Sequence, residues 1–308
     1  MLVALVGGGV IGGGWAGRLV ENGVDVIVYD PHPDAERRVR EVLANAERAW
    51  RKLTLAPRAR GSVSFASSLD EAVREAEVVQ ESTPEDEELK RRLLAEIGEH
   101  ARPDALVCSS TSGLLPSRLQ AGMLHPERFL VGHPFNPVYL LPLVEVVPGE
   151  TTSEDAVERA VAFYASLGMK PLLVRSEIDG FVSDRLLEAL WREALWLVHD
   201  GVATVEEIDD AVRFGPGLRW AQMGTFLTYR IAGGEDGMQH FLSQFGPALE
   251  WPWTKLTDVP ELSSDLIERI ASQSDAQAGG LSIRELERVR DDNLVAILQA
   301  LRARRYAA

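Results

Sequence analysis

Leu2-Val3-Ala4-Leu5-Val6-Gly7-Gly8-Gly9-Val10-Ile11-Gly12 is the stretch whose reading decides the fold. Its apolar opening is too short for a membrane span and suits a buried parallel strand. It runs directly into G-x-G-x-x-G at Gly7, Gly9 and Gly12, and an amphipathic stretch follows to a stop at Gly23. Strand, glycine turn and helix is the context in which this motif binds a dinucleotide. Gly7 permits the tight turn, Gly9 lets the backbone approach a pyrophosphate, and Gly12 lets helix and strand pack closely. The phosphates then meet free N–H groups at the helix N-terminus. A second apolar run, Val24-Asp25-Val26-Ile27-Val28-Tyr29, ends on Asp30. An acid there holds a ribose 2′-hydroxyl and repels a 2′-phosphate, so the expected cofactor is NAD.

Working outward, strand-like and helix-like stretches alternate. Strands are expected at 62–65, 77–81, 105–108, 129–132, 143–147 and 172–174, with helices over 34–52, 69–75, 85–100 and 154–167. This alternation predicts an α/β class, an N-terminal Rossmann domain with a doubly wound, mostly parallel sheet. From Ile178 the pattern changes. Leu186, Leu187, Leu190, Trp191, Ala194, Leu195 and Val198 form a broad helical stripe closed by Gly201. Ser68 with Glu71, Thr204 with Glu207, and Ser282 with Glu285 have the spacing of capping boxes. The expected division is therefore 1–177 for NAD binding and 178–308 for an all-helical domain that binds substrate and dimerises.

The 308 residues carry 32 basic and 47 acidic side chains, a net charge of −15. That balance argues against nucleic-acid or anionic-membrane partners. It is compatible with a cationic substrate, although salt screens charges beyond about 8 Å. The single cysteine, Cys108, cannot form an internal disulfide, and no Cys/His cluster suggests a metal. With no basic leader before the first strand and no span-length apolar run, the expectation is a cytoplasmic protein.

Ligands of an open α/β sheet sit beyond the carboxyl ends of its strands. Ser109-Ser110-Thr111-Ser112 follows one strand and His133-Pro134-Phe135-Asn136-Pro137 follows another, while Glu145 lies within the next. Taking a hydride from an alcohol carbon requires a base for the hydroxyl proton, and histidine suits that task near neutral pH. A carboxylate on the far ring nitrogen would set its tautomer. Glu145 is flanked by apolar residues on both sides, an unfavourable place for an acid unless it is paired. The residues alone leave other readings open: a loop histidine, a rigid proline turn, or an edge-strand glutamate facing water.

G-G-G-V-I-G, the run at 109–112, H-P-F-N-P at 133–137, Glu145 and G-F-V-S-D-R at 180–185 resemble the 3-hydroxyacyl-CoA dehydrogenase superfamily over nearly the whole chain. The resemblance implies that His133 is the general base, Glu145 its partner and Ser112 the ligand of the reacting oxygen. It also implies that Glu85, Lys90 and Asn136 contribute to the cofactor site. Longer stretches at 133–147, 184–195, 214–220, 223–229 and 245–253 resemble the carnitine-oxidising branch of that superfamily. The acyl-CoA enzymes have asparagine where Asp184 stands and a glycine-aromatic ending missing here. The implied substrate is thus a quaternary-ammonium hydroxy acid. Aromatic faces hold such a cation, which makes Trp220, Phe226, Tyr229, Trp251 and Trp253 candidate cage residues. Asp184 either adds a negative charge there or serves as a cap or a partner of Arg185. Arg219 is a candidate for the substrate carboxylate.

The rivals are a gulonate-oxidising relative, a short-chain acyl-CoA enzyme and a crystallin-like NAD-binding structural protein. Arg37, Arg38, Arg40, Arg48, Arg51 and Lys52 could hold CoA phosphates, but glutamates interleave them as on a solvated helix face. A homodimer is expected, with the exposed side of the helix carrying Trp196 as its surface.

Overall fold

In the computed structural model, residues 1–53, 59–250 and 263–283 are described, together with 285, 286, 289 and 300. The chain divides into two compact units, Met1–Leu186 and Leu187–Ala308. The first contains β1 (Leu2–Val6), α1 (Val10–Glu21), β2 (Asp25–Tyr29), α2 (Ala35–Leu53), β3 (Val63–Phe65), α3 (Leu69–Val73) and β4 (Val78–Glu81). It continues through α4 (Glu87–His100), β5 (Leu106–Ser109), α5 (Pro116–Leu119), β6 (Phe129–Pro134), β7 (Leu143–Pro148), α6 (Glu154–Ser166) and β8 (Lys170–Leu173).

The eight strands form one sheet in the order β3-β2-β1-β4-β5-β6-β7-β8. Every neighbouring pair is parallel except β6 and β7. The order reverses direction at β1, which puts a crevice beyond the carboxyl ends of β1 and β4. Apolar clusters cover both faces. On one, Trp15, Leu19, Val39, Phe163 and Tyr164 pack against the sheet. On the other, Leu69, Leu94, Ile97 and Leu119 do so. α1 is buried all round from Gly12 to Glu21, whereas α2 and α4 bury one stripe and leave the opposite face to water. On α2 that outer face carries Arg37–Glu41, Arg40–Glu36 and Arg51–Glu47 pairs one turn apart.

Helix starts follow local chemistry. The Asp86 side chain accepts from the Leu89 N–H at the start of α4, and Ser153 accepts from the Ala156 N–H at the start of α6. At α3 the expected capping box is half formed. Ser68 accepts from the Glu71 N–H, but Glu71 turns to the N–H and hydroxyl of Ser67 instead. Those two donors together outcompete one backbone N–H.

Beyond β8 the described elements are helical: α7 (Ser183–His199), α8 (Val205–Phe214), α9 (Pro216–Ala232), α10 (Gly237–Phe245) and α11 (Ser264–Gln277). Thr204 and Glu207 complete a reciprocal capping box on α8. Glu145 accepts from the backbone of Val182 and Ser183, which draws the start of α7 into the first unit past the break expected near Glu177. The expected stripe on α7 is not buried: Leu186, Leu187, Leu190, Trp191 and Leu195 are exposed, and so is Trp196 on another side of the helix. Among the described residues, no helix is long and apolar enough to cross a membrane.

Candidate active site

The glycine turn is built by sterics. Gly7 has φ +105°, and a Cβ there would lie 2.6 Å from the Ser82 carbonyl oxygen. At Gly12 a Cβ would lie 1.8 Å from the Gly7 carbonyl oxygen, so α1 and β1 can approach this closely only without a side chain. Gly9 differs, because a Cβ there would meet nothing within 4 Å. Open space therefore lies over the N-terminus of α1, where no side chain caps the helix. Asp30, after β2, accepts from the Gly8 N–H at 2.7 Å through one oxygen and from the His32 N–H at 2.8 Å through the other. A bare helix N-terminus, an open cradle and an acid at the end of the second strand fit the pyrophosphate and ribose of NAD.

The second feature depends on the one antiparallel pairing. Because β7 runs opposite to β6, the Glu145 end of β7 lies level with the carboxyl end of β6, and His133 stands directly across from Glu145. Their side chains meet at 2.8 Å between Nδ1 and Oε2. Glu145 is fully buried, and its other oxygen accepts from the N–H groups of Val182 at 3.0 Å and Ser183 at 2.9 Å. Burial by itself raises the carboxyl. The His133 hydrogen bond, the two backbone donors and the histidine's charge outweigh it and hold Glu145 below the usual glutamate range. An ionised carboxylate only accepts, so Nδ1 carries a proton, and whenever the ring is neutral the lone pair is on Nε2. Phe135 and Phe181 flank the imidazole, with ring centroids 4.7 and 5.7 Å away. Asp184, in the first turn of α7, brings Oδ2 to 4.0 Å from Nε2.

The third feature is the loop after β5. Glu85 Oε1 accepts from the Thr111 hydroxyl and from the N–H groups of Ser112 at 3.0 Å and Gly113 at 3.2 Å. Glu85 thereby clamps the turn bearing Ser112. Lys90 is fully buried. Its ammonium donates to Glu81 at 2.8 Å and to the Thr83 carbonyl at 3.0 Å, with Glu85 3.7 Å away. Its position is behind the loops rather than at their surface, and it neutralises the two acids that hold them. Asn136, by contrast, is exposed after β6.

The structure also assembles a polar network that sequence reading missed. Ser110 Oγ accepts from Gln80 at 2.7 Å and from Trp15 at 3.0 Å, while the Tyr164 hydroxyl donates to Gln80. The available signal was Gln80-Glu81 at the end of an apolar strand, the same incongruity that drew attention to Glu145. Cys108, beside Tyr164, is buried and its thiol is pushed up to about 12, so it stays unreactive.

In the helical unit, Arg219, Trp220, Phe226 and Tyr229 all lie on α9, which is kinked at Gly224. Tyr229 stacks on Phe241, which in turn stacks on Phe245. Part of the expected cage residue set is thus engaged in packing. Trp251 and Trp253 lie outside the described residues.

The model of the 3-hydroxyacyl-CoA dehydrogenase NAD binding domain matches residues 2–178, and that of the family's C-terminal domain matches 180–264. A protein of Mesorhizobium japonicum named L-carnitine dehydrogenase is 59% identical over 97% of this chain and 82% of its own length. A Rhizobium meliloti protein named L-carnitine dehydrogenase/betainyl-CoA thioesterase is 60% identical over 97% of this chain, which spans 61% of that longer relative. Among solved structures, a 5-formyl-3-hydroxy-2-methylpyridine 4-carboxylic acid 5-dehydrogenase, described as an NAD+ dependent dismutase, superposes with a TM-score of 0.75 at 31% identity. That match covers 98% of this chain and 99% of the other. With both domains matched in order, the chain belongs to the 3-hydroxyacyl-CoA dehydrogenase family and is an NAD-dependent oxidoreductase.

Proposed function

We propose that this chain oxidises the 3-hydroxyl of L-carnitine to 3-dehydrocarnitine. The observation that carries the reading is the buried His133–Glu145 pair, in a chain 59% identical to a relative named for that reaction. NAD, when bound, supplies the acceptor for the hydride that leaves C3. His133 Nε2 takes the hydroxyl proton, and Glu145 fixes the tautomer and stabilises the imidazolium. The Ser112 hydroxyl binds the reacting oxygen, held in place by Glu85. Asp30 binds the ribose, Asn136 and Glu85 line the cofactor, and Lys90 contributes from behind through Glu81 and Glu85. Arg219 is proposed for the substrate carboxylate. Trp220, Phe226 and Tyr229, with Trp251 and Trp253, are proposed for the trimethylammonium group. The functional division is placed at 177/178.

The test is NADH formation by absorbance with equal concentrations of L-carnitine, L-gulonate and L-3-hydroxybutyryl-CoA. Signal with carnitine alone is expected. Signal only with gulonate or the CoA ester would overturn the substrate. Silence with all three, while NAD still binds, would favour a non-catalytic NAD-binding protein.

A further inference from the structure

We propose that Asp184 is the residue by which this site selects a cation on the carbon next to the reacting alcohol, so that charge selection is made beside the base itself. The inference rests on the carnitine reading and deepens it. Asp184 Oδ2 lies 4.0 Å from His133 Nε2, and its side chain is 28% exposed, so it is partly shielded from water. A hydroxyl giving its proton to Nε2 must sit within about 3 Å of that nitrogen. In a 3-hydroxy acid with nitrogen on the adjacent carbon, bonds of about 1.5 Å keep oxygen and nitrogen within about 4 Å of one another. With the hydroxyl on Nε2, turning the adjacent bond toward α7 can therefore bring the cation against Asp184, whose Oδ2 lies 4.0 Å from that nitrogen. A quaternary ammonium cannot donate a hydrogen bond, so it is recognised by charge at contact distance, which a carboxylate supplies and an amide does not.

Charge and shape are separated by comparing L-carnitine with its neutral isostere, in which a tert-butyl group replaces the trimethylammonium group. kcat/KM is measured for both with the wild type, Asp184→Asn and Asp184→Glu. The wild type should prefer the cation by about tenfold or more, as expected for opposite charges a few ångströms apart in a half-shielded site. Asp184→Asn should bring the two substrates within about threefold, through a rise in KM for carnitine, and Asp184→Glu should restore part of the preference. Equal losses on both substrates with Asp184→Asn would overturn the inference, because Asp184 would then act only on His133 or on the fold. An unchanged preference would overturn it too. If the wild type turns over neither compound, the carnitine reading itself falls and takes this inference with it. Unfolding temperature and NADH binding, measured on each variant, identify any loss that comes from misfolding, and Asp184→Glu then decides the case in place of Asp184→Asn.

Discussion

His133 is engaged unequally at its two nitrogens, and that asymmetry makes its proposed role testable. Glu145 secures Nδ1 at 2.8 Å, while Asp184 approaches Nε2 only to 4.0 Å. His133→Ala should reduce turnover by about a thousandfold or more while NADH affinity stays within about twofold, read by single-turnover kinetics and fluorescence titration. Surviving turnover would remove His133 as the base. Glu145→Gln should be nearly as severe, because the amide NH2 would donate to Nδ1, drive the proton to Nε2 and leave no lone pair there. A comparable carboxylate-to-amide change in a catalytic triad costs about 10⁴-fold. The same variant reports on stability. Folding lowers the Glu145 carboxyl, so its contribution is complete above about pH 4.3, the ordinary glutamate value, and is lost as pH falls through the lower folded value. Glu145→Gln should therefore unfold in urea with a deficit of about 2 kcal/mol at neutral pH. That deficit should shrink as pH drops below about 4. A deficit that stays constant into acid would show that Glu145 stabilises by shape rather than charge.

At the scale of elements, the β1–α1 turn separates folding from binding. Gly12 cannot carry a side chain without moving the Gly7 carbonyl, whereas a Cβ on Gly9 meets open space. Gly9→Ala should leave the unfolding temperature within about 2 °C of the wild type, which in a protein of this size is a change of about 1 kcal/mol or less. Yet it should weaken NADH binding tenfold or more, because its methyl occupies the place of the pyrophosphate. Unchanged affinity in a calorimetric titration would mean that the cofactor does not lie over Gly9. The β6–β7 pair matters in another way. Its antiparallel register sets His133 opposite Glu145, and a one-residue slip of β7 would turn the Glu145 side chain to the other face of the sheet, away from His133. The N-terminus of α7 completes the arrangement by presenting two N–H groups to the carboxylate, a favourable end of the helix for an anion.

For the whole molecule, the apolar face of α7 is the outstanding feature. Leu187, Leu190, Trp191 and Leu195 lie exposed on one side of the helix, and large apolar side chains grouped in this way suit an association surface. We expect a homodimer through this face. Sedimentation equilibrium should give twice the chain mass, and Trp191→Glu should give a monomer. A wild-type monomer at working concentration would refute the expectation. The expected helical stripe was legible from periodicity, but periodicity cannot say whether a stripe meets its own chain or another one. On α2 the acids are balanced by arginines one turn away on a solvated face, so this part of the acidic complement carries little information about the site.

By itself the sequence determined what depends on neighbours along the chain. The glycine turn follows from the absence of Cβ atoms, most helix starts from side chains three residues away, and the doubly wound class from alternating periods. Even Glu145 betrayed itself, since an acid between apolar residues must find a partner. Tertiary structure alone decided what depends on distant segments meeting. It reversed β7 so that His133 and Glu145 face each other, and it buried Lys90 against Glu81 and the Thr83 carbonyl. It joined Glu85 to the Ser112 turn and set Asp184 beside Nε2. Local patterns encode which face of an element is apolar. Which residues come to share one cavity is set by sheet order and register, and those follow from the packing of the unit as a whole.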